Sequence, residues 1–120
     1  MTAGLPEWLH AQLDADEAAA RRHWNRDGVT SERFHGTPYD PSRVLREIDA
    51  KRRIVELHRP APGWSGRITP EHPHREPVCV ICADFDRHGD PTGDPYPCLT
   101  LRLLALPYSD RPDYRDDWRP

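Results

Sequence analysis

The feature that most constrains this chain is the stretch VCVICADFDRHGDPTGDPYPC, residues 78–98, which holds all three of its cysteines. Cys79 and Cys82 form a CxxC motif, and Cys98 follows a connection made mostly of turn-forming residues. A CxxC turn lets two thiolates reach one ion, and sulfur-rich tetrahedral sites in small domains are typical of structural zinc. The spacing therefore predicts three of the four ligands of a zinc site.

Seven histidines are available to supply the fourth ligand. His58 is our first choice, because it follows Val55 by three residues and Ile54 by four on a predicted helix and so points inward beside the core. A neutral imidazole there can bind the ion through one nitrogen. The alternatives that stay open are His72 and His74 before the CxxC motif and His88 inside the cysteine segment; His10, His23 and His35 are weaker.

Two other interpretations of the cysteines stay open. Free cysteines are often inert, buried, small apolar side chains. A CxxC motif can also be a thiol–disulfide pair, but that chemistry is typical of a thioredoxin-like βαβ context, and no such pattern precedes Cys79. We therefore favour a structural metal site.

Composition supports the need for such a site. The chain has 120 residues, only 36% of them hydrophobic, and it contains 14 prolines. A single domain, residues 1–120, with so thin a core often needs a metal, disulfides or a partner. The net charge of −3 disfavours a general nucleic-acid binder. Because Lys51 is the one lysine among 17 basic residues, a GC-rich genome is indicated.

Apolar periodicity predicts two long helices, at about residues 6–26 and 41–59. The first carries an i, i+4 stripe that begins Leu5, Leu9, Leu13, and the second starts at an Asp40 N-cap followed by Pro41. Asp16 lies within the first stripe, and Arg52 lies at the edge of the second. We therefore expect them to form a charge-assisted pair if the helices pack together.

The remaining segments are a Pro/His-rich loop at 60–77, the cysteine knuckle at 78–98, a short helix at 98–106 and an aromatic, charged tail at 107–120. In the short helix we expect Leu99, Leu103 and Leu106 to share the buried face, although its alternating pattern leaves a strand as the alternative. The tail either folds back or docks elsewhere. The predicted fold is mainly α and loop-rich: two longer antiparallel helices and a short C-terminal helix, held together by a CxxC metal knuckle.

Three pieces of the chain, LHAQLDADE, DPSRVLREIDAKRRIVELH and CLTLRLLALPYSDRPDYRDDWRP, together resemble a family of small proteins from actinobacteria and their phages that carries no assigned function. The TLRLLALPY segment is the most specific part of the resemblance. The family pattern places a histidine at the end of the second helix together with a cysteine group before the leucine segment. The resemblance therefore implies a site of three cysteines and one histidine at His58, Cys79, Cys82 and Cys98.

A closed four-ligand site is structural, so we predict a zinc-stabilised, non-enzymatic accessory or interaction protein, regulatory or phage-related, with a protein partner. The absence of an apolar run and of a signal-peptide pattern predicts no membrane span and a cytoplasmic location. The loop at 60–77 and the tail are the expected contact surfaces. The alternatives are a nucleic-acid-binding regulator that uses the basic side of residues 43–59, and an enzyme with an open metal site formed by the three cysteines. No oligomeric state is predicted.

Overall fold

The computed structural model describes residues 4–27, 34–65 and 76–120. Three α-helices lie in these ranges: α1 (Leu5–Asp27), α2 (Pro41–Leu57) and α3 (Leu99–Ala105). The mainly helical fold is confirmed, and residues 99–105 form a helix rather than a strand. None of the described helices has both the length and the apolar character needed to cross a membrane. The chain divides into two compact units, Met1–Ile54 and Val55–Pro120.

In the first unit, α1 buries the beginning of its predicted apolar stripe. The helix is joined to Gly4 by a hydrogen bond from the Trp8 N–H to the Gly4 carbonyl, 3.0 Å long. Leu5, Leu9 and Leu13 are fully buried because an i, i+4 spacing keeps them on one side of the helix. The stripe that the periodicity predicts is thus the face that the protein removes from water.

Helix α2 begins at the predicted cap. The Asp40 carboxylate accepts the Ser42 N–H at 3.0 Å, and the Asp40 carbonyl accepts the Val44 N–H at 3.0 Å. Asp40 itself is only 4% exposed. A capping carboxylate satisfies an N–H group that the first helical turn leaves without an intrahelical partner. The cap explains why the helix starts at Pro41.

Arg52 of α2 hydrogen-bonds to α1. Its Nη2 atom donates to Asp14 at 2.7 Å and to Glu17 at 2.8 Å. The sequence predicts Asp16 as the partner of Arg52. The observed partners are instead Asp14 and Glu17, which lie on either side of Asp16 in the sequence. The antiparallel packing of the two long helices stays a prediction.

The second unit contains short strands that the sequence analysis did not predict. They are β1 (Pro60–Ala61), β2 (Trp64–Ser65), β3 (Val78–Cys79), β4 (Asp84–Phe85) and β5 (Pro91–Gly93). β1 pairs antiparallel with β3, and β5 lies between a parallel β2 and an antiparallel β4. Strands of two or three residues are too short to show a period-two pattern, which is why the sequence gives no signal for them.

Gly63 marks a close approach between the strands of this unit. A Cβ atom at this position would lie 2.6 Å from Cγ2 of Val78 and 2.8 Å from the carbonyl oxygen of Pro91. Both distances are below van der Waals contact, so only glycine fits between β3 and β5 here. Val78 is completely buried at this contact.

Helix α3 buries the face opposite to the predicted one. Leu101 and Ala105 are 0% exposed, whereas Leu103 is 51% exposed. Leu99 and Leu106, the other members of the predicted buried face, are also exposed, so that prediction was wrong. The reason is the residue before the helix: at about 100° per residue, positions 101 and 105 lie on the side of buried Cys98. The anchored cysteine, rather than the number of leucines, sets the rotation of the helix.

The C-terminal tail folds back through two 3-10 turns, Leu106–Tyr108 and Asp116–Trp118. Trp118 is 3% exposed, and its ring meets that of Tyr114 edge-on with centroids 5.8 Å apart. The Arg115 guanidinium lies over the Trp118 ring, 5.4 Å from its centroid. The rings of Tyr108 and Trp118 are buried within the fold. Contact of the tail with a partner stays a prediction.

Candidate metal centre

His58 is the first residue after α2, and strand pairing sets its position. The carbonyl of Arg59 accepts the Val80 N–H at 3.0 Å, and Pro60 is the register partner of Cys79. Neighbouring strands lie about 4.8 Å apart, so this pairing brings the end of α2 beside the CxxC motif. The proximity of His58 to Cys79 is therefore a consequence of the β1–β3 ladder.

Tyr96 fixes the same region from the other side. Its hydroxyl donates to the His58 carbonyl at 2.7 Å, and its backbone N–H donates to the Pro77 carbonyl at 2.9 Å. Cys98 follows two residues later and begins α3. One tyrosine thus ties the approach to Cys98 both to the histidine and to the segment that enters β3.

The CxxC motif forms a turn after β3. The Ala83 N–H donates to the Cys79 carbonyl at 2.9 Å, which closes the turn around Cys82. A closed turn lets side chains three residues apart point to the same side. The two thiols of the motif are therefore held on the side of His58.

The four predicted ligands converge on one point. The Nδ1 atom of His58 lies 3.3 Å from the Cys79 sulfur. The sulfurs of Cys82 and Cys98 each lie 3.5 Å from the same nitrogen. All four potential ligand atoms lie within 4.8 Å of one another, and within the described ranges no other group of three or more metal-ligating side chains does this. This separation is compatible with a single bound metal ion.

Hydrogen bonding alone does not account for the convergence. A neutral imidazole nitrogen carries either one N–H or one lone pair, so Nδ1 can bond to one sulfur at a time. Three sulfurs lie 3.3–3.5 Å from that single nitrogen, so two of them are left without a bond to it. A cation shared by all four atoms satisfies every one of them.

The three cysteines differ in their burial. Cys79 and Cys98 are buried, at 3% and 4% exposure, whereas Cys82 is exposed. Burial raises the pKa of the Cys98 thiol to about 12, and the neighbouring Cys79 adds to the shift. A position at a helix start favours a thiolate, but here desolvation outweighs it. Without a cation, Cys98 holds its proton at neutral pH.

The other candidate histidines do not join this cluster where the structure describes them. His88 lies in the turn between β4 and β5, is exposed, and accepts a hydrogen bond from Arg87 at 3.2 Å. His72 and His74 lie outside the described residues. His58 is accordingly the imidazole that the structure brings to the cysteines.

A small cavity of about 90 Å³ opens beside the sulfurs. All three cysteines line it, whereas His58 does not. The remaining lining comes from Val78, Ala83, Gly93, Asp94 and Leu99. The cluster is therefore approached from its sulfur side.

The acidic residues of the cysteine segment have a structural role in the β4–β5 turn. The Asp86 carboxylate accepts the N–H groups of His88 at 2.8 Å and Asp90 at 3.0 Å. The bond from Asp90 is the main reason that the pKa of Asp86 is lowered. Gly89 completes the turn with a φ of 78°. Asp86 therefore stabilises the turn between β4 and β5.

The first unit contains an apolar groove that was not predicted from the sequence. It has a volume of about 530 Å³ and is lined by Ala20, His23, Trp24, Phe34, Tyr39 and Val44. The rings of Phe34 and Tyr39 meet edge-on with centroids 6.5 Å apart. The lining contains an imidazole and a phenol but no carboxylate, so it presents no carboxylate-based acid–base pair.

Comparisons with known proteins agree with the resemblance at the level of the family. A family model described as "family of unknown function (DUF6221)" matches residues 2–120, nearly the whole chain. No curated protein and no solved structure matches the chain.

Proposed function

We propose that this chain, which belongs to the family of unknown function DUF6221, is a small zinc-stabilised, non-enzymatic accessory protein. It acts by binding another protein. The observation that carries the proposal is the convergence of His58, Cys79, Cys82 and Cys98 within 4.8 Å. The role as an interaction protein, the cytoplasmic location and an actinobacterial or phage source are parts of the same proposal.

Zinc is favoured by ligand type and by distance. Three thiolates and one imidazole form a soft, tetrahedral donor set that zinc prefers, whereas calcium and magnesium require oxygen ligands. Zinc–sulfur bonds of about 2.3 Å and zinc–nitrogen bonds of about 2.0 Å place nitrogen and sulfur about 3.5 Å apart in a tetrahedron. The three nitrogen–sulfur distances, 3.3, 3.5 and 3.5 Å, agree with that separation.

The proposed role of the ion is structural. It joins the end of α2, the turn after β3 and the start of α3, three segments that are far apart in the sequence. The strands between them contain only two or three residues each. Such short ladders contribute few hydrogen bonds, so a cross-link by the ion stabilises a unit that has little regular structure of its own.

Exposed apolar side chains support an interaction with a protein. In the second unit the large apolar residues with the greatest exposure are Leu57, Ile81, Phe85, Leu99 and Leu103. A contiguous patch of such side chains is typical of interaction sites, and we propose that the partner contacts these residues.

The nucleic-acid alternative has less support. Of the basic residues between 43 and 59, Arg43 bonds to Glu47 and Arg53 forms an ion pair with Asp49, both at 3.0 Å. Arg52 is held by Asp14 and Glu17. Cations neutralised by neighbouring carboxylates attract phosphates weakly. Binding to DNA or RNA across a salt series tests this alternative, which requires an affinity that falls steeply with salt.

The open-site alternative also has less support. An enzyme with a three-cysteine centre needs a fourth position free for water or substrate. The Nδ1 atom of His58 lies where that fourth ligand belongs, at nearly equal distances from all three sulfurs. A His58 that binds the ion leaves no open position in a tetrahedral site.

Metal analysis of the purified chain tests the proposal. We expect about one zinc per chain in the wild type, and strongly weakened zinc binding in Cys79→Ser and His58→Ala. His88→Ala is the matched control, because this exposed histidine lies outside the cluster, and it should retain full zinc content. Wild-type protein without zinc, or a His58→Ala variant with unchanged zinc affinity, contradicts the assigned ligand set.

A further inference from the structure

We propose that Cys82 is a site of oxidative modification: a peroxide oxidises this thiolate, Cys79 converts the product into a Cys79–Cys82 disulfide, and the bound metal ion is released. The proposal rests on the zinc site argued above and adds a chemical reactivity to it. It assigns different roles to the three cysteines of one ligand set.

The three cysteines differ in their exposure to solvent. Cys82 is exposed, whereas Cys79 and Cys98 are at most 4% exposed. Oxidation of cysteine depends on thiolate character and on access, and coordination keeps a cysteine in the thiolate form. All three sulfurs are thiolates when they bind the ion, so access decides which one a peroxide meets first.

A cavity of about 90 Å³ lies on the sulfur side of the cluster and is lined by all three cysteines. A cavity of this kind holds one water molecule in about 10–15 Å³, so a molecule with two heavy atoms, such as hydrogen peroxide, can enter it. The lining is part apolar, with Val78 and Leu99, and part polar, with Asp94. A small neutral oxidant can therefore reach the sulfur.

The sulfur that completes the reaction belongs to Cys79. The sulfurs of the cluster lie within 4.8 Å of one another, so a modified Cys82 has two neighbours. Cys79 shares with it the turn closed by the Ala83 N–H, whereas Cys98 is fixed at the start of α3 by Leu101 and Ala105, which are buried on the same side. A Cys79–Cys82 disulfide requires adjustment of one turn only, and we assign the bond to this pair.

The electrons balance in two steps. The Cys82 thiolate attacks one peroxide oxygen, which forms a sulfenic acid and releases hydroxide; the Cys79 thiolate then attacks the Cys82 sulfur and releases a second hydroxide. The two thiolates lose two electrons, and the peroxide gains them and becomes two water molecules after protonation. Two of the four ligands are thereby neutral sulfurs, and His58 with Cys98 alone form too small a set to hold zinc.

The experiment uses the full-length chain purified under reducing conditions. Zinc content is measured first, and hydrogen peroxide is then added in the presence of a chromophoric zinc indicator. A trapping reagent for sulfenic acid and mass spectrometry identify the modified cysteine and the disulfide. We expect release of the bound zinc together with loss of two free thiols per chain, and trapped sulfenic acid on Cys82 about tenfold above Cys98.

A dithiol reductant provides the second measurement. Reduction reverses a disulfide but not a sulfinic acid, so we expect it to restore zinc binding to the full initial content. This measurement needs no variant and is independent of whether a cysteine substitution folds. In a Cys82→Ser variant, we expect the loss of free thiols in peroxide to slow by about tenfold, because the accessible sulfur is gone.

The outcomes separate the two proposals. A reduced chain without zinc overturns both the zinc site and this inference. Three results would overturn this inference alone and leave the structural zinc site standing. They are a chain that holds zinc and retains it in peroxide, sulfenic acid trapped first on Cys98, and a disulfide that includes Cys98.

Discussion

The two units of this protein are stabilised in different ways. In the first, Met1–Ile54, a long helix buries an i, i+4 stripe of leucines, and ion pairs such as Arg52 with Glu17 lie at its surface. In the second, Val55–Pro120, strands of two or three residues and a seven-residue helix surround a His/Cys cluster. One unit depends on a repeating local pattern, and the other on a few residues that meet from distant segments.

The difference explains where sequence patterns are informative. A stripe repeated over several turns fixes which side of α1 is buried, so Leu5, Leu9 and Leu13 are predictable. In α3 the pattern is two turns long, and the anchored Cys98 overrides it. In the second unit burial therefore follows the cluster rather than local hydrophobicity.

Metal removal gives the largest expected effect. With a chelator, we expect the second unit to lose its tertiary structure, because a structural zinc site contributes several kcal/mol of folding free energy. The near-ultraviolet circular dichroism of Trp118 and Tyr114 should disappear, while most of the helical far-ultraviolet signal remains from α1. A melting temperature and a near-ultraviolet spectrum that both survive chelation would remove the contrast between the units.

The next effect compares two leucines of α3. Leu101 is 0% exposed and Leu103 is 51% exposed, although they lie two residues apart on one helix. Leu101→Ala should destabilise the chain by about 2–5 kcal/mol, because it leaves a cavity. Leu103→Ala should change stability by no more than about 0.5 kcal/mol. Chemical denaturation of both variants measures the difference, and equal losses would mean that the rotation assigned to α3 is wrong.

A smaller effect is expected at the strand contact. Gly63→Ala places a methyl group 2.8 Å from the Pro91 carbonyl oxygen, and backbone cannot move aside as a side chain can. We expect a loss of about 1–3 kcal/mol, typical of overpacking. The matched control is Gly93→Ala, whose Cβ would find its nearest neighbour, Cα of Ala83, at an ordinary 3.7 Å. If the two alanine variants denature together, Gly63 is not packed closely against Val78 and Pro91.

The smallest effect is expected for the ion pairs of the first unit. Arg52→Ala removes the bonds to Asp14 and Glu17 but should shift the denaturation midpoint only slightly, because ion pairs that remain partly exposed to water are weak. Arg52 lowers the pKa of Glu17, so its stabilisation is present above the ordinary value of 4.5 and is lost as the pH falls through the lowered folded value. Arg53→Ala, which loses only the pair with Asp49, is the control.

The midpoints of the wild type and of Arg52→Ala should therefore differ at neutral pH and converge in acid and in high salt. A difference that stays constant down to low pH would show that Arg52 acts through packing rather than through charge.

Much of the site was predictable from the sequence, and the strands were not. The CxxC spacing and the turn-rich connection to Cys98 indicate a shared ion, and the helical register indicates His58, because these are short-range properties. The β1–β3 register and the hydrogen bond from Tyr96 to the His58 carbonyl are long-range contacts between irregular segments. They depend on the fold of the whole unit, so no local sequence pattern predicts them.

The most direct test of the account is X-ray absorption spectroscopy at the zinc edge of the purified, reduced chain. We predict one zinc ion with three sulfur ligands at about 2.3 Å and one nitrogen ligand at about 2.0 Å. In His58→Ala the nitrogen shell should be lost or replaced by oxygen, whereas in His88→Ala it should be unchanged. A sphere with fewer than three sulfurs, or one whose nitrogen persists without His58, would contradict the four-residue site on which the second unit is built.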